Sequence, residues 1–193
     1  MKLQTENHIK DRNIVNKKVL VLSSSPRKGG NSDLLCDQFT SGAKESGNSV
    51  EKIFLRDKKI NYCTGCGTCI DRGGKCSQKD DMTEVLSKMV EADVIVMATP
   101  VYFYTMCGQM KTLIDRTCAR YTEISNKQLY FIVTAADDSK PAMDRTVEEF
   151  RGFTYCLDGA EEKGIIYGVG TWNKGEIKGM PAMEEAYEMG KAI

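Results

Sequence analysis

Short apolar runs alternate with amphipathic stretches along most of this chain, and that alternation limits the fold more than any other feature. VLVL (residues 19–22), DVIVMATP (93–100), QLYFIVTAA (128–136) and GIIYGVG (164–170) are strand-sized and almost unbroken. Runs of this kind mark strands buried on both faces, as central parallel strands are. SVEKIFL (49–55) adds a further strand with partial alternation. Helical patterns lie between them. The first opens at Asn31 or Ser32, either of which can cap it, carries Leu34, Leu35 and Phe39, and ends near Gly47-Asn48. The second starts at Asp80 or Asp81 and puts Met82, Val85, Leu86, Met89 and Val90 on one face. Residues 106–117, 143–156 and 180–192 are the others. The pattern predicts the α/β class: a doubly wound, five-stranded parallel sheet of flavodoxin-like order 2-1-3-4-5, with helices on both faces. Residues 1–17 read as a polar N-terminal extension and 18–193 as a single domain.

Composition removes several functions. Lys+Arg and Asp+Glu both number 27, so nothing points to nucleic acid or an anionic membrane, which need clustered excess cations. No apolar run is long enough to span a bilayer, and the opening MKLQTENHIKDRNIVNKK resembles no export signal, so a cytoplasmic location is expected. The eight cysteines are then reduced thiols or ligands rather than disulfides. His8 is the one histidine, which argues against Ser-His-Asp hydrolysis and His-rich zinc sites.

In such a sheet the ligand lies beyond the carboxyl ends of the strands, where the winding reverses. The first loop to inspect is therefore SSSPRKGGNS (23–32), with Ser23, Ser25 and Ser32 hydroxyls and Arg27 at a helix N-terminus, a setting that favours an anion such as phosphate. It matches neither the Walker loop nor G-x-G-x-x-G. A plain polar strand-to-helix turn is the alternative. The second loop, TPVYFYTMCG (99–108), places three consecutive aromatics at a strand end. They cannot all be core, and a large planar ligand explains the surplus.

SSSPRKGGNS, then DDM, then TPVYFYTMCGQMKTLIDR resemble the NAD(P)H-dependent FMN reductase family of flavodoxin-like proteins over residues 18–135. The resemblance implies that Ser23, Ser25, Pro26, Arg27, Asn31 and Ser32 hold an FMN phosphate. It implies that Pro100, Val101, Tyr102, Phe103 and Tyr104 line the isoalloxazine, and that the 135–139 loop, with Ala136 and Asp137, covers its other edge. That loop departs from the family's Gly-rich form. Asp115-Arg116 closes the second motif and would brace the loop or a subunit contact. The family further implies a homodimer or homotetramer, NAD(P)H as hydride donor, and a quinone, nitro or azo compound, free flavin or iron–sulfur centre as acceptor. FMN carries the chemistry, so no catalytic residue is expected. An iron–sulfur flavoprotein-type electron carrier without a nucleotide substrate is the alternative.

Cys63-x2-Cys66-x2-Cys69-x6-Cys76 is the most unusual segment, on a stretch (61–78) expected to be loop. Four thiols so close can hold a [4Fe–4S] cluster or zinc, or stand as reduced thiols. Iron–sulfur flavoproteins carry a similar loop at this point. Cys36, Cys107, Cys118 and Cys156 read as small buried hydrophobes, with Cys107 also in the second loop. Met82, Met89, Met106 and Met110 read as core, Trp172 as packing, and Glu148-Glu149 and residues 161–163 as solvated faces.

Overall fold

The structure is a computed structural model describing residues 16–193. Residues 1–15, most of the expected extension with His8, lie outside the described part. Six strands form among the described residues, β1 (Lys18–Ser23), β2 (Ser49–Phe54), β3 (Val94–Tyr102), β4 (Thr105–Met106), β5 (Gln128–Thr134) and β6 (Glu161–Gly168). Helices are α1 (Asn31–Glu45), α2 (Thr68–Asp71), α3 (Met82–Glu91), α4 (Gly108–Arg116), α5 (Asp144–Thr154) and α6 (Pro181–Lys191).

The main sheet runs β2-β1-β3-β5-β6, all parallel, which is the expected winding. The count differs by one: β4 is a two-residue strand, antiparallel to β3 and off the main path. Alternate residues on the central strands feed two separate cores. Leu20, Leu22, Ile95, Met97, Phe131 and Val133 face α3, α4 and α5. Val19, Val21, Val94, Val96, Tyr130 and Ile132 face α1 and α6. Burial on both faces is why these strands read as unbroken apolar runs. Phe131 stacks on Phe150 of α5, with centroids 4.8 Å apart, and Phe39 of α1 meets Tyr130 edge-on at 5.2 Å.

Two small residues let α1 and α6 touch. A Cβ at Gly42 would sit 2.0 Å from the Tyr187 carbonyl oxygen. One at Gly190 would sit 2.2 Å from that of Phe39.

Several expectations need correcting. β6 begins three residues early, because an edge strand tolerates the exposed Glu161, Glu162 and Lys163 that looked like a solvated face. The 61–78 stretch holds the short helix α2. Neither Asn31 nor Ser32 caps α1: both are inside it, preceded by extended Gly30 with no side-chain cap. Cys36 and Cys107 are buried as expected, but Cys118 and Cys156 are exposed. Trp172 is also exposed.

Candidate functional site

The tips of β1 and β3 are fastened together. Ser23 pairs with Ala98 across the two strands, and the Ser24 N–H and hydroxyl both donate to the Ala98 carbonyl, at 3.0 and 2.6 Å. Cys107 closes the joint: its N–H donates to Thr99 Oγ1 at 3.0 Å and its thiol donates to the Ser24 carbonyl at 3.3 Å. The two loops singled out by sequence therefore share one floor.

The first loop turns sharply at left-handed Gly29 (φ 69°). Within it the Gly30 N–H donates to the Arg27 carbonyl at 2.8 Å, and Ser25 Oγ accepts the Arg27 N–H at 3.2 Å. Asp33 of α1, a residue the sequence reading passed over, organises the base. It accepts the Ser23 hydroxyl at 2.9 Å and the Gly29 N–H at 2.7 Å, and pairs with Lys52 of β2. Burial works against its charge, but Lys52 and these donors outweigh it and hold the carboxyl below its ordinary range.

This divides the expected phosphate ligands. The Ser23 hydroxyl is committed to Asp33. The Asn31 side chain is committed to residues 173–177, donating to the Asn173 carbonyl at 2.9 Å and accepting the Gly175 N–H at 3.0 Å. Ser32 is different. It is 1% exposed and its Oγ has no hydrogen-bond partner among the described residues. A buried hydroxyl left unpaired in the first turn of a helix, where backbone amides also lack intrahelical partners, is a reason to look for an anion. Arg27 stands at the rim, its Nη1 donating to the Trp172 carbonyl at 3.1 Å.

The second loop is a hairpin closed by Phe103 and Tyr104, both left-handed at φ 53° and 63°. Two-residue hairpin turns of type I′ need this conformation at both positions, which is why Asn-Gly usually fills them. Two aromatics there cost on the order of 1 kcal/mol each. Phe103 is 98% exposed, with Tyr102 and Tyr104 half-exposed beside it. Behind the hairpin stands α5: Thr146 Oγ1 donates to the Tyr104 carbonyl at 3.1 Å, and Glu149 Oε2 accepts the Met106 N–H at 2.7 Å. Glu149 is therefore half-buried and tied to the hairpin, whereas Glu148 beside it is exposed and pairs with Arg151 at the surface.

The loop after β5 and the segment after β6 lie together. Ala136 and Asp137 are exposed, and the Gly170 N–H donates to the Asp137 carbonyl at 2.8 Å. Glu176 fixes the far end by accepting the Trp172 and Asn173 N–H groups, each at 2.7 Å. Residues 170–177 thus form a strap over the first loop, which sequence reasoning left without a role.

The cysteine loop hangs from one buried ion pair. Arg116, 3% exposed, makes a two-pronged contact to Asp80 at 2.7 and 3.0 Å and donates to the Asn61 carbonyl at 2.7 Å. Asp80 also accepts the Asn61 and Met82 N–H groups, at 3.0 and 3.2 Å. Both ends of the loop are tied to this pair, so Arg116 braces the cysteine loop, a role the second motif did not suggest. Burial opposes the Asp80 charge, and Arg116 with the two N–H groups holds its carboxyl below the ordinary range.

For a thiolate metal centre the donor chemistry fits, since four cysteines stand within fourteen residues among left-handed glycines. Their placement is spread. Cys76 turns toward Arg116, whose Nη2 donates to its Sγ at 3.6 Å. Cys63 lines a groove of about 700 Å³ with Cys118 and Cys156. Among the described residues no three Cys, His, Asp or Glu side chains are grouped to hold one ion. Cys66 donates to Thr68 Oγ1 at 3.3 Å, and contacts with Thr68, Ser77 and Thr64 bring its thiol down to about 6. Partial burial, with Cys69 and Cys63 alongside, pushes the Cys118 thiol up.

Fastened strand tips, an unpaired hydroxyl at a helix start and an aromatic shelf thus lie together at the carboxyl edge of a flavodoxin-like sheet. The chain belongs to the NADPH-dependent FMN reductase family, which it matches over residues 17–158. It is similar to an iron–sulfur flavoprotein of Methanocaldococcus jannaschii, 30% identical over 89% of this chain and 88% of that one. An iron–sulfur flavoprotein of Archaeoglobus fulgidus is 46% identical over 51% of this chain and 44% of its own length. The chain spans about half the length of the curated relatives it matches at the highest identities. Among solved structures, an azoreductase from Bacillus anthracis shares the fold, with TM-score 0.72 and 19% identity over 92% of this chain and 100% of that one. No helix among the described residues is long and apolar enough to cross a membrane.

Proposed function

We propose that this chain is an FMN-dependent NAD(P)H oxidoreductase, with residues 18–193 as one FMN-binding domain. The carrying observation is the buried, unpaired Ser32 hydroxyl in the first turn of α1. It directly follows the loop that Ser24 ties to Ala98 of β3 and to Cys107 beside the aromatic hairpin. FMN would supply hydride chemistry with NAD(P)H and pass the electrons on to a quinone, nitro or azo compound, or free flavin.

The chain's own residues bind and orient. Ser32 gives a hydroxyl and the α1 start gives backbone amides to the phosphate. Ser25 and Pro26 shape the turn, and Arg27 adds a cation at the rim. Ser23 and Asn31 act one step back: Ser23 supports Asp33, and Asn31 holds the strap. Pro100 and Val101 form the floor, while Tyr102, Phe103 and Tyr104 cover the ring. Ala136 and Asp137 lie at its far edge. No side chain is required to move a proton, in keeping with a chain whose lone histidine, His8, belongs to the N-terminal stretch. The reading includes a cytoplasmic homo-oligomer.

Titration of purified protein with FMN, followed by steady-state NADPH oxidation with a quinone, tests this. A stoichiometric yellow complex that turns over is expected. Protein that takes up no FMN overturns the reading.

The four-cysteine loop favours a second reading, an iron–sulfur flavoprotein-type carrier. Cys63, Cys66, Cys69 and Cys76 would hold a cluster able to take single electrons. Anaerobic iron and sulfide analysis decides it: about four of each per chain support the carrier, and zinc alone or no metal removes it.

A further inference from the structure

Helix α5 reaches the aromatic hairpin at two backbone points, and the function proposed above uses neither. A ribbon closed by a two-residue turn exchanges hydrogen bonds at the flanking pair, here Tyr102 with Thr105, but not at the next pair, Val101 with Met106. The Met106 N–H therefore points away from β3. Met106 is buried, so that donor would be left without a partner were it not for Glu149 Oε2 at 2.7 Å.

The hairpin cannot hold its own shape. β4 has two residues, too few for an independent ribbon, and the turn sets two aromatic residues in left-handed backbone. Besides the internal Thr105 hydroxyl, which donates to the Tyr102 carbonyl at 2.9 Å, three side chains brace it: Thr146 on the Tyr104 carbonyl, Glu149 on the Met106 N–H, and Thr99 of β3 on the neighbouring Cys107 N–H at 3.0 Å. The first two stand three residues apart on one helix, hence on one face. Glu149 makes the shortest of the three contacts, and its carboxylate is the charged partner.

We infer that Glu149 is a positioning residue, whose carboxylate fixes the Met106 N–H and so keeps the Phe103–Tyr104 turn in the shape that receives the flavin ring. This rests on the proposed reading that the hairpin covers FMN. A glutamine in its place keeps an oxygen acceptor; an alanine keeps none.

The test is FMN titration of the full chain, read by flavin fluorescence quenching and by the bound flavin's absorption band, with far-UV circular dichroism as the folding check. Glu149→Ala is expected to weaken FMN binding at least tenfold and to shift the band. Glu149→Gln is expected to stay within threefold of wild type with an unshifted band. Glu149→Met, similar in length but without a strong acceptor, is the second variant and should behave as alanine does. Wild type that takes up no FMN would overturn the proposed function itself. Wild type that binds, with Glu149→Ala or Glu149→Met binding equally well, would overturn the positioning role alone. Equal loss in the glutamine and methionine variants would overturn it too, because an oxygen acceptor facing the Met106 N–H would then make no difference.

Discussion

Arg116→Met separates the energy of the cysteine loop's root from everything else in the molecule. The wild-type side chain fills a buried site, makes both prongs to Asp80 and holds the Asn61 carbonyl. Methionine replaces most of the volume but none of the charge. Asp80 is then left buried with only the Asn61 and Met82 N–H groups. Breaking one side of a buried ion pair costs about 3–5 kcal/mol. For a domain of this size that corresponds to a melting temperature lower by ~6–20 °C. Urea unfolding at pH 7.5 measures it. The double variant Asp80→Asn with Arg116→Met should recover much of the loss, because the stranded charge is gone.

The pH dependence gives an independent check. In the wild type the folded Asp80 carboxyl titrates below its ordinary value near 3.8, so its contribution is complete above that value and fades as pH falls through the folded one. In Arg116→Met the cation that opposes burial is gone, and the folded carboxyl is expected to rise above the unfolded one. The penalty is then full above the raised value and is relieved as pH falls through it. The stability gap between the two proteins should accordingly narrow between pH 7.5 and 4.5. A loss below ~1 kcal/mol at pH 7.5, or a gap that widens with acid, would refute the account of this pair.

Three further outcomes follow from the site and the helix seam. Ser32→Ala should weaken FMN binding about 10–100-fold without loss of stability, while Ser23→Ala should cost about 1 kcal/mol of stability and leave binding near wild type; parallel FMN and urea titrations distinguish them. Replacing Phe103-Tyr104 by Asn-Gly should stabilise the chain to urea by ~1–2 kcal/mol while reducing FMN affinity, since the turn is relieved and the rings are lost. Gly42→Ala forces α1 from α6 and should lower stability by at least about 1–3 kcal/mol, visible as an earlier thermal transition.

What the sequence displayed was whatever burial writes into neighbouring residues. β1, β3 and β5 are apolar on consecutive positions because both faces are covered, and so their order and the two loops at their ends could be read directly. β4 could not, because Phe103-Tyr104 carries none of the Asn-Gly signature its geometry demands. The structural partners of Ser23 and Asn31 were illegible for another reason. Their partners, Asp33 and the 173–177 strap, are fixed by tertiary packing, and a hydroxyl or amide in a polar loop looks the same whether it meets a ligand or another side chain. Asp80 and Arg116 stand 36 residues apart, with only the DDM and IDR contexts to mark them. Cys118 and Cys156 were assigned to the interior by residue type, yet both turns leave the thiol facing outward.

The strap over the first loop has a consequence for how the protein is made. Asn31 finds its partners at Gly175 and Ile177, 144 and 146 positions downstream. A nascent chain leaves the ribosome N-terminus first. The early half can wind its strands during translation, but the mouth of α1 is finished only when the downstream segment has emerged and folded back. Completion of that mouth is in consequence a later step in biogenesis than the winding of β1 and α1, gated by residues 173–177.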